Sequence, residues 1–152
     1  MEFATGVQRE VYERIGGWLR DLYGDAVREV PELPAYACSH DGTQVHVSVT
    51  PWGEDEATVT VRSGVVYDLR ITPELTYYLL RGNELLRFGA FALDAANDVV
   101  VGHTIVGSTC DLAELRASVQ GVAQAAARYA PRIIQRFGGV TAEDHWASRV
   151  GP

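Results

Sequence analysis

Lysine is absent from this sequence, and its thirteen strongly basic side chains are all arginine. Schiff-base enzymes need a lysine amine, P-loop NTPases need a lysine on the phosphates, and protein kinases need a lysine on a strand. These three classes of enzyme are therefore excluded. The arginine-only composition also indicates a genome rich in G and C.

Cysteine is scarce as well, because only Cys38 and Cys110 are present, far apart and in no Cys-x-x-Cys spacing. With neither a disulfide framework nor a zinc pattern, the expected compartment is the reducing cytoplasm. Residues 1–6 lack a basic start with an apolar run behind it, so we predict no secretory signal. No uninterrupted apolar run is long enough to predict a transmembrane helix.

What the chain does contain is typical of one folded domain. Its 152 residues are 47% hydrophobic and 22% charged, which are globular proportions. The formal net charge of −7 argues against a general nucleic-acid or anionic-membrane binder. We predict a single domain over residues 1–138 and a flexible C-terminal tail over residues 139–152.

The hydrophobic pattern predicts the element order α-β-β-β-α-β-β-α. The first helix should begin after a Thr5 cap and end at Gly24. Strands over residues 35–40 and 43–50 flank Asp41-Gly42, a strong signal of a two-residue hairpin turn.

The second half of the chain continues this order. A third strand is predicted over residues 57–69, and Thr72 should cap the second helix. A second hairpin follows over residues 88–106, and Asp111 should cap a long last helix that kinks or restarts at Pro131. Hairpin-linked strands imply an antiparallel sheet with helices packed on it, which is an α+β fold.

The second hairpin predicts an unusual sheet face. If Asp94 pairs with Val99, Phe91 lies opposite Gly102 and both faces of the hairpin are apolar. An antiparallel sheet that is covered on one side should instead alternate apolar and polar residues. We therefore expect the second face to be covered, either by a helix of the same chain or by a second chain.

The same region carries a family resemblance. An asparagine on the second helix precedes a Phe-Gly-x-Phe-x-Leu-Asp strand, a turn and a valine-rich strand; the positions are Asn83, Phe88, Gly89, Phe91, Leu93 and Asp94. This pattern resembles the YbjN family and is similar to the class I type III secretion chaperones. The likeness covers residues 72–137, and the element order of the whole chain is also similar to theirs.

The resemblance implies a secretion-chaperone-like fold and a dimeric, cofactor-free protein that binds extended segments of other proteins. By position, the implied dimer candidates on the second helix and the next strand are Leu79, Leu86, Phe88 and Phe91. The client of such a chaperone wraps over the first helix and the sheet, and the implied contact candidates there are Val11, Trp18 and His46.

Trp52 is a further candidate for partner binding, from the residues alone. It lies beside Pro51 in a loop tip, where polar residues are the norm. The side chain could cap the sheet, or it could anchor a partner.

Metal and catalytic chemistry find weaker support in the residues. His40 and His46 should lie on opposite faces of their hairpin, so we do not predict that they share a metal. His103 is expected to be a hydrogen-bonded structural histidine, and His145 is expected to be solvated in the tail. A helix start beside Cys110 could lower its thiol pKa somewhat, but we favour a spacer cysteine before the helix over a nucleophile.

An arginine row on the last helix has two interpretations. Arg116, Arg128, Arg132 and Arg136 occupy a stretch with no acid after Glu114. They could bind an anionic partner or a nucleic-acid backbone, or they could only complement the C-terminal end of the helix dipole.

The first functional hypothesis is therefore a cytoplasmic, dimeric and non-catalytic chaperone or adaptor that shields an apolar segment of a protein or peptide client. One alternative is a small regulatory subunit that docks on a larger complex. The other is a small enzyme that uses Cys110 and His103.

Overall fold

A computed structural model describes residues 1–149 of the chain. Its helices are α1 (Gly6–Tyr23), α2 (Pro73–Asn83), α3 (Leu112–Phe137) and α4 (Ala142–Ala147), with a short 3-10 turn at Gly24–Ala26. Its strands are β1 (Arg28–Glu29), β2 (Ala35–His40), β3 (Thr43–Pro51), β4 (Ala57–Val66), β5 (Ala90–Leu93) and β6 (Val99–Val106).

The six strands form one antiparallel sheet in the order β1-β2-β3-β4-β6-β5. Helices α1 and α3 pack on it. On β3, Val45, Val47 and Val49 are buried on the helix side, whereas His46 and Thr50 are exposed on the other. The sheet thus has one covered face and one open face, and the predicted α+β class is confirmed.

The predicted helix starts are confirmed by their capping bonds. Thr5 Oγ1 accepts a hydrogen bond from the Gln8 amide at 3.0 Å. Thr72 Oγ1 accepts from the Leu75 amide at 3.2 Å, and Asp111 Oδ1 accepts from the Glu114 amide at 2.7 Å. Each of these side chains satisfies a backbone donor that the first helical turn leaves unpaired.

Helix α1 is fixed to the sheet by both polar and apolar contacts. The buried Gln8 side chain donates from Nε2 to the Val49 carbonyl at 2.8 Å. The Tyr36 ring lies against Gly16, where any Cβ atom would collide with its hydroxyl end. That hydroxyl donates to the Tyr12 carbonyl at 3.2 Å, so the close approach of helix and sheet satisfies a buried polar group.

The register of the second hairpin differs from the prediction by one residue. Leu93 pairs with Val99 and Phe91 pairs with Val101, so the pairing of Asp94 with Val99 is wrong. Asn97 adopts a left-handed φ of 64°, which lets the turn close early, with the Asp94 amide donating to the Asp98 carbonyl at 3.0 Å. A three-residue loop that ends in a residue of this conformation is common in hairpins. Because the register differs by one residue from the predicted one, different side chains of β5 and β6 share a face.

Helix α3 is continuous through Pro131, so the predicted restart there is wrong. Proline removes one helical N–H group and thereby frees the carbonyl of residue 127. Pro131 and Ala127 are both exposed, so water can satisfy that carbonyl and the helix need not end.

The C-terminal segment contains structure that the sequence pattern did not predict. Tyr67 and Val140 exchange two backbone hydrogen bonds of 3.0 and 2.9 Å, and α4 follows. His145 is only 3% exposed, and its Nδ1 lies 2.7 Å from Asp68 Oδ2. The expectation that His145 is solvated is therefore wrong. The division of the chain at residue 138 stays a prediction, and residues 150–152 of the predicted tail lie outside the described residues.

Within residues 1–149, no helix is both long and apolar enough to cross a membrane.

Candidate partner-binding surfaces

Helix α2 exposes large apolar side chains beside the edge strand β5. Tyr77 is 67% exposed and Leu80 is 70% exposed. On β5, Ala92 and Leu93 are also exposed, and Leu80, Ala92 and Leu93 line one shallow groove. These four residues form what we call the α2–β5 surface.

The opposite side of α2 is firmly packed. Leu75 and Leu79 are buried in the core. The rings of Phe91 and Tyr129 lie against Gly82, and a Cβ atom at this position would stand 3.1 Å from the Phe91 ring. The close approach therefore favours glycine here. The two rings themselves contact each other at 4.8 Å between centroids. The position of the α2–β5 surface is therefore fixed from beneath.

Asn83 links the end of α2 to the backbone of the edge strand. Its Oδ1 accepts from the Phe91 amide at 2.6 Å, and its Nδ2 lies 3.5 Å from the Phe91 carbonyl oxygen. A side-chain amide therefore occupies the backbone positions that a neighbouring strand would otherwise use. Asn83 blocks strand addition at this point of β5, which gives the asparagine of the family motif a structural role.

Other motif residues shape the same hairpin. Gly89 has a φ of 85°, and a Cβ atom there would collide with the Gly102 carbonyl. Asp94 Oδ1 accepts from the amides of Ala96 at 2.9 Å and Asp98 at 3.0 Å. These residues therefore set the entry and the turn of the β5–β6 hairpin.

The predicted dimer residues take part in contacts within the chain. Leu79 and Phe91 are buried, and Leu86 packs on the edge of the core. Phe88 is half-buried, its ring 5.8 Å from that of His103. On α2 itself, the large apolar residues that face outward are Tyr77 and Leu80, which do not belong to the predicted apolar stripe. Their large apolar side chains off the buried stripe are the signal that could have identified them.

The client candidates divide between the two faces of the sheet. His46 lies on the open face between Ala37 and Arg62 of the adjacent strands. Trp52 follows the end of the same strand and is 61% exposed. Val11 is buried on the helix side and Trp18 is half-buried there. The structure therefore places His46 and Trp52, but not Val11, where a partner can reach them.

The proposed pair of catalytic residues has other contacts. His103 Nδ1 lies 2.9 Å from Ser118 Oγ, which confirms a hydrogen-bonded histidine. Burial raises the pKa of the Cys110 thiol to about 11, so the helix start does not lower it below its ordinary value. A thiol with this pKa is almost entirely protonated at neutral pH, and the thiolate is the reactive form.

Metal binding receives no geometric support in residues 1–149. Cys38 pairs with Val45 and Ala37 pairs with His46, so the hairpin places His40 and His46 on opposite faces, as predicted. No three side chains of the metal-binding types His, Cys, Asp and Glu converge within this range.

The comparisons with known proteins bear on the fold and on the family. A family model described as "T3SS (YopN, CesT) and YbjN peptide-binding chaperone 1" matches residues 2–145. No curated protein is similar enough in sequence to match this chain.

Solved structures share the fold at low sequence identity. An uncharacterized protein from Methanothermobacter thermautotrophicus has a TM-score of 0.57 at 19% identity, over 84% of this chain and 99% of that chain. A chain of the HopA1–SchA chaperone–effector complex has a TM-score of 0.60 at 9% identity, over 81% and 96%. The Yersinia pestis type III secretion chaperone SycH in complex with a YscM2 fragment gives 0.52 at 19% identity, over 78% and 98%.

Proposed function

Since the chain belongs to the family of T3SS and YbjN peptide-binding chaperones, we propose that it is a dimeric, non-catalytic chaperone or adaptor that shields an apolar segment of a partner protein. The observation that carries this proposal is the family match over residues 2–145. It confirms the resemblance seen in residues 72–137 and extends it to the N-terminal half.

The client is proposed to lie on the open face and the free edge of the sheet. Trp52 supplies a large exposed ring, and His46 supplies a polar contact on the open face. Strand β1 pairs only with Tyr36 and Ala37 of β2, so within residues 1–149 the outer edge of β2 has no strand partner over residues 38–40. A client segment can add backbone hydrogen bonds there, as in other cases of strand addition.

The dimer is proposed to form through the α2–β5 surface. Exposed apolar side chains that cluster on one side of a packed helix are typical of interaction sites. A two-fold axis would bring Tyr77 and Leu80 of one protomer onto the same residues of the other, which is the self-complementary contact of a symmetric dimer. This replaces the buried Leu79 and Phe91 as the residues we expect at the interface.

The bacterial cytoplasm is the proposed location. Both cysteines are free and buried, which is usual in a reducing compartment. The arginine-only basic composition fits a GC-rich bacterial genome.

Affinity capture from native extract, followed by quantitative mass spectrometry, tests the function. We expect one or two stoichiometric proteins with the wild type and at least a several-fold loss with Trp52→Ala. Leu33→Ala is the matched control, because Leu33 is also exposed, at 55%, but lies in another loop. A capture that contains only further copies of the bait would contradict the chaperone function. Recovery of one large complex would favour the regulatory-subunit alternative.

A further inference from the structure

Helix α2 has a second groove on the side that faces α3. It consists of two adjoining depressions that share Leu85 and Tyr129; Arg128 lines one, and Tyr78, Arg81, Glu84 and Arg132 line the other. We call these seven residues the arginine groove. Its floor is aromatic, since Tyr129 is buried and its ring centroid lies 6.3 Å from that of Tyr78. Its rim is apolar at Leu85, which is 74% exposed.

Aromatic rings hold the guanidinium groups of this groove in place. The Cζ atoms of Arg128 and Arg132 each lie 6.0 Å from the centroid of Tyr129. Arg136, one turn further, lies 5.4 Å from the centroid of Tyr78. The planar fork of arginine is itself preorganised, so these groups lose little entropy for each hydrogen bond that they form with an anion.

The three arginines of α3 at this groove, Arg128, Arg132 and Arg136, have no counter-charge among the ion pairs of residues 1–149. Arg81 has only an exposed contact of 3.4 Å with Glu84. The groove is therefore a cationic strip in a protein of net charge −7.

The helix dipole accounts for only part of this strip. Its effect on charged side chains falls off within the last turn. Arg136 lies in that turn of α3, whereas Arg132 and Arg128 lie further from the end at Phe137. Helix stabilisation therefore does not explain why these two positions are basic.

We propose that the arginine groove binds a carboxylate-bearing segment of the client protein. Carboxylates of the segment bind Arg128 and Arg132, whose planar groups suit two-pronged contacts with a carboxylate. An apolar side chain of the same segment packs on Leu85 and Tyr78. This inference rests on the proposed function and gives the client a chemical character, acidic residues interspersed with apolar ones.

A peptide fits this groove better than a nucleic acid does. A polyphosphate backbone is bound by many cationic contacts distributed along its length. Here the arginines of α3 form one short row, Glu84 also lines the groove, and the negative net charge repels a polyanion from the rest of the surface. A short segment with few carboxylates avoids that repulsion.

Fluorescence anisotropy with defined peptides tests the proposal. The probe is a fluorescein-labelled peptide that alternates leucine with glutamate, and its matched control has glutamine in place of glutamate. We expect the glutamate peptide to bind the wild type more tightly. The double variant Arg128→Gln/Arg132→Gln should weaken its binding about tenfold, which is the scale of two charge-assisted contacts near a surface.

The control variant is Arg28→Gln/Arg70→Gln. It changes the net charge by the same amount, at two exposed residues outside the groove, and should change binding less than twofold. Melting curves of both variants establish that they are folded. Leu85→Ser should weaken binding of both peptides, because it removes the apolar contact that they share.

Several results would overturn the groove proposal. These are equal losses in the two double variants, equal binding of the glutamate and glutamine peptides, no binding by the wild type, or displacement of the peptide by an oligo-dT strand of equal charge. If one of these occurs while Trp52→Ala still loses its captured client, the chaperone function stands and only the groove is wrong. If the wild type also captures no client, the proposed function itself fails.

Discussion

The two flanks of α2 rest on the same buried contacts but differ in the chemistry they present to solvent. Toward β5 the helix exposes Leu80 beside Leu93, and the arginine row is absent. Toward α3 it borders arginines that stand over tyrosine rings. Because Leu75 and Leu79 already anchor the helix in the core, packing of the fold does not account for the exposed side chains on either flank. We have proposed a different occupant for each flank, a second copy of the chain on the apolar one and an acidic client segment on the cationic one.

The largest expected effect is on self-association. Leu80→Asp should weaken the dimer about a thousandfold, since a symmetric interface loses roughly 2 kcal/mol of leucine burial twice. Light scattering on eluted protein should find the variant monomeric. Arg132→Gln is the control on the other flank and should leave the dimer intact. A Leu80→Asp protein that stays dimeric would place the interface elsewhere.

The next largest expected effect is on stability, through the packing of α2 at Gly82. Gly82→Leu should lower the free energy of unfolding by about 2–3 kcal/mol, because the new side chain must displace the rings of Phe91 and Tyr129. Urea unfolding measures it. Gly17→Ala, at an exposed helical glycine whose Cβ position is open, should instead raise stability by up to about 1 kcal/mol. An unchanged free energy of unfolding in Gly82→Leu would mean that the packing of Phe91 and Tyr129 on Gly82 does not stabilise α2.

A smaller loss is expected at the edge of the apolar flank. Asn83→Leu should cost about 1–2 kcal/mol of unfolding free energy, since the Phe91 amide loses its acceptor. Asn83→Asp keeps an acceptor oxygen in the same position and should cost less. Equal losses in the two variants would contradict the capping role of this side chain.

The smallest effect is on the cationic flank. Arg132→Gln should change the unfolding free energy by at most about 0.5 kcal/mol, because an exposed arginine over a ring contributes little to stability. Thermal denaturation checks this. A loss above 1.5 kcal/mol would show that the arginine serves the fold rather than a ligand.

Much of this architecture could be predicted from local chemistry. The caps at Thr5, Thr72 and Asp111 depend on a side chain and an amide three residues away, and the Asp41-Gly42 turn depends on two positive φ angles, 48° and 79°. Such features are specified within a few residues. The α+β class follows from them, because hairpin-linked strands can only pair antiparallel.

Other features depend on contacts that the local pattern does not contain. The left-handed conformation of Asn97 set the register of the second hairpin. His145 is buried because Asp68, 77 residues earlier, accepts its hydrogen bond. The resemblance assigned Leu79 to a dimer interface by position alone, whereas the structure buries Leu79 and exposes Leu80 next to β5.

Native mass spectrometry of the tagged chain, recovered from its own cell extract, tests the central claim most directly. It reports the number of copies and any client in one spectrum. The account predicts a species that contains two copies of the chain together with a stoichiometric client protein. A spectrum with only the mass of the single chain would contradict both the dimer and the chaperone function.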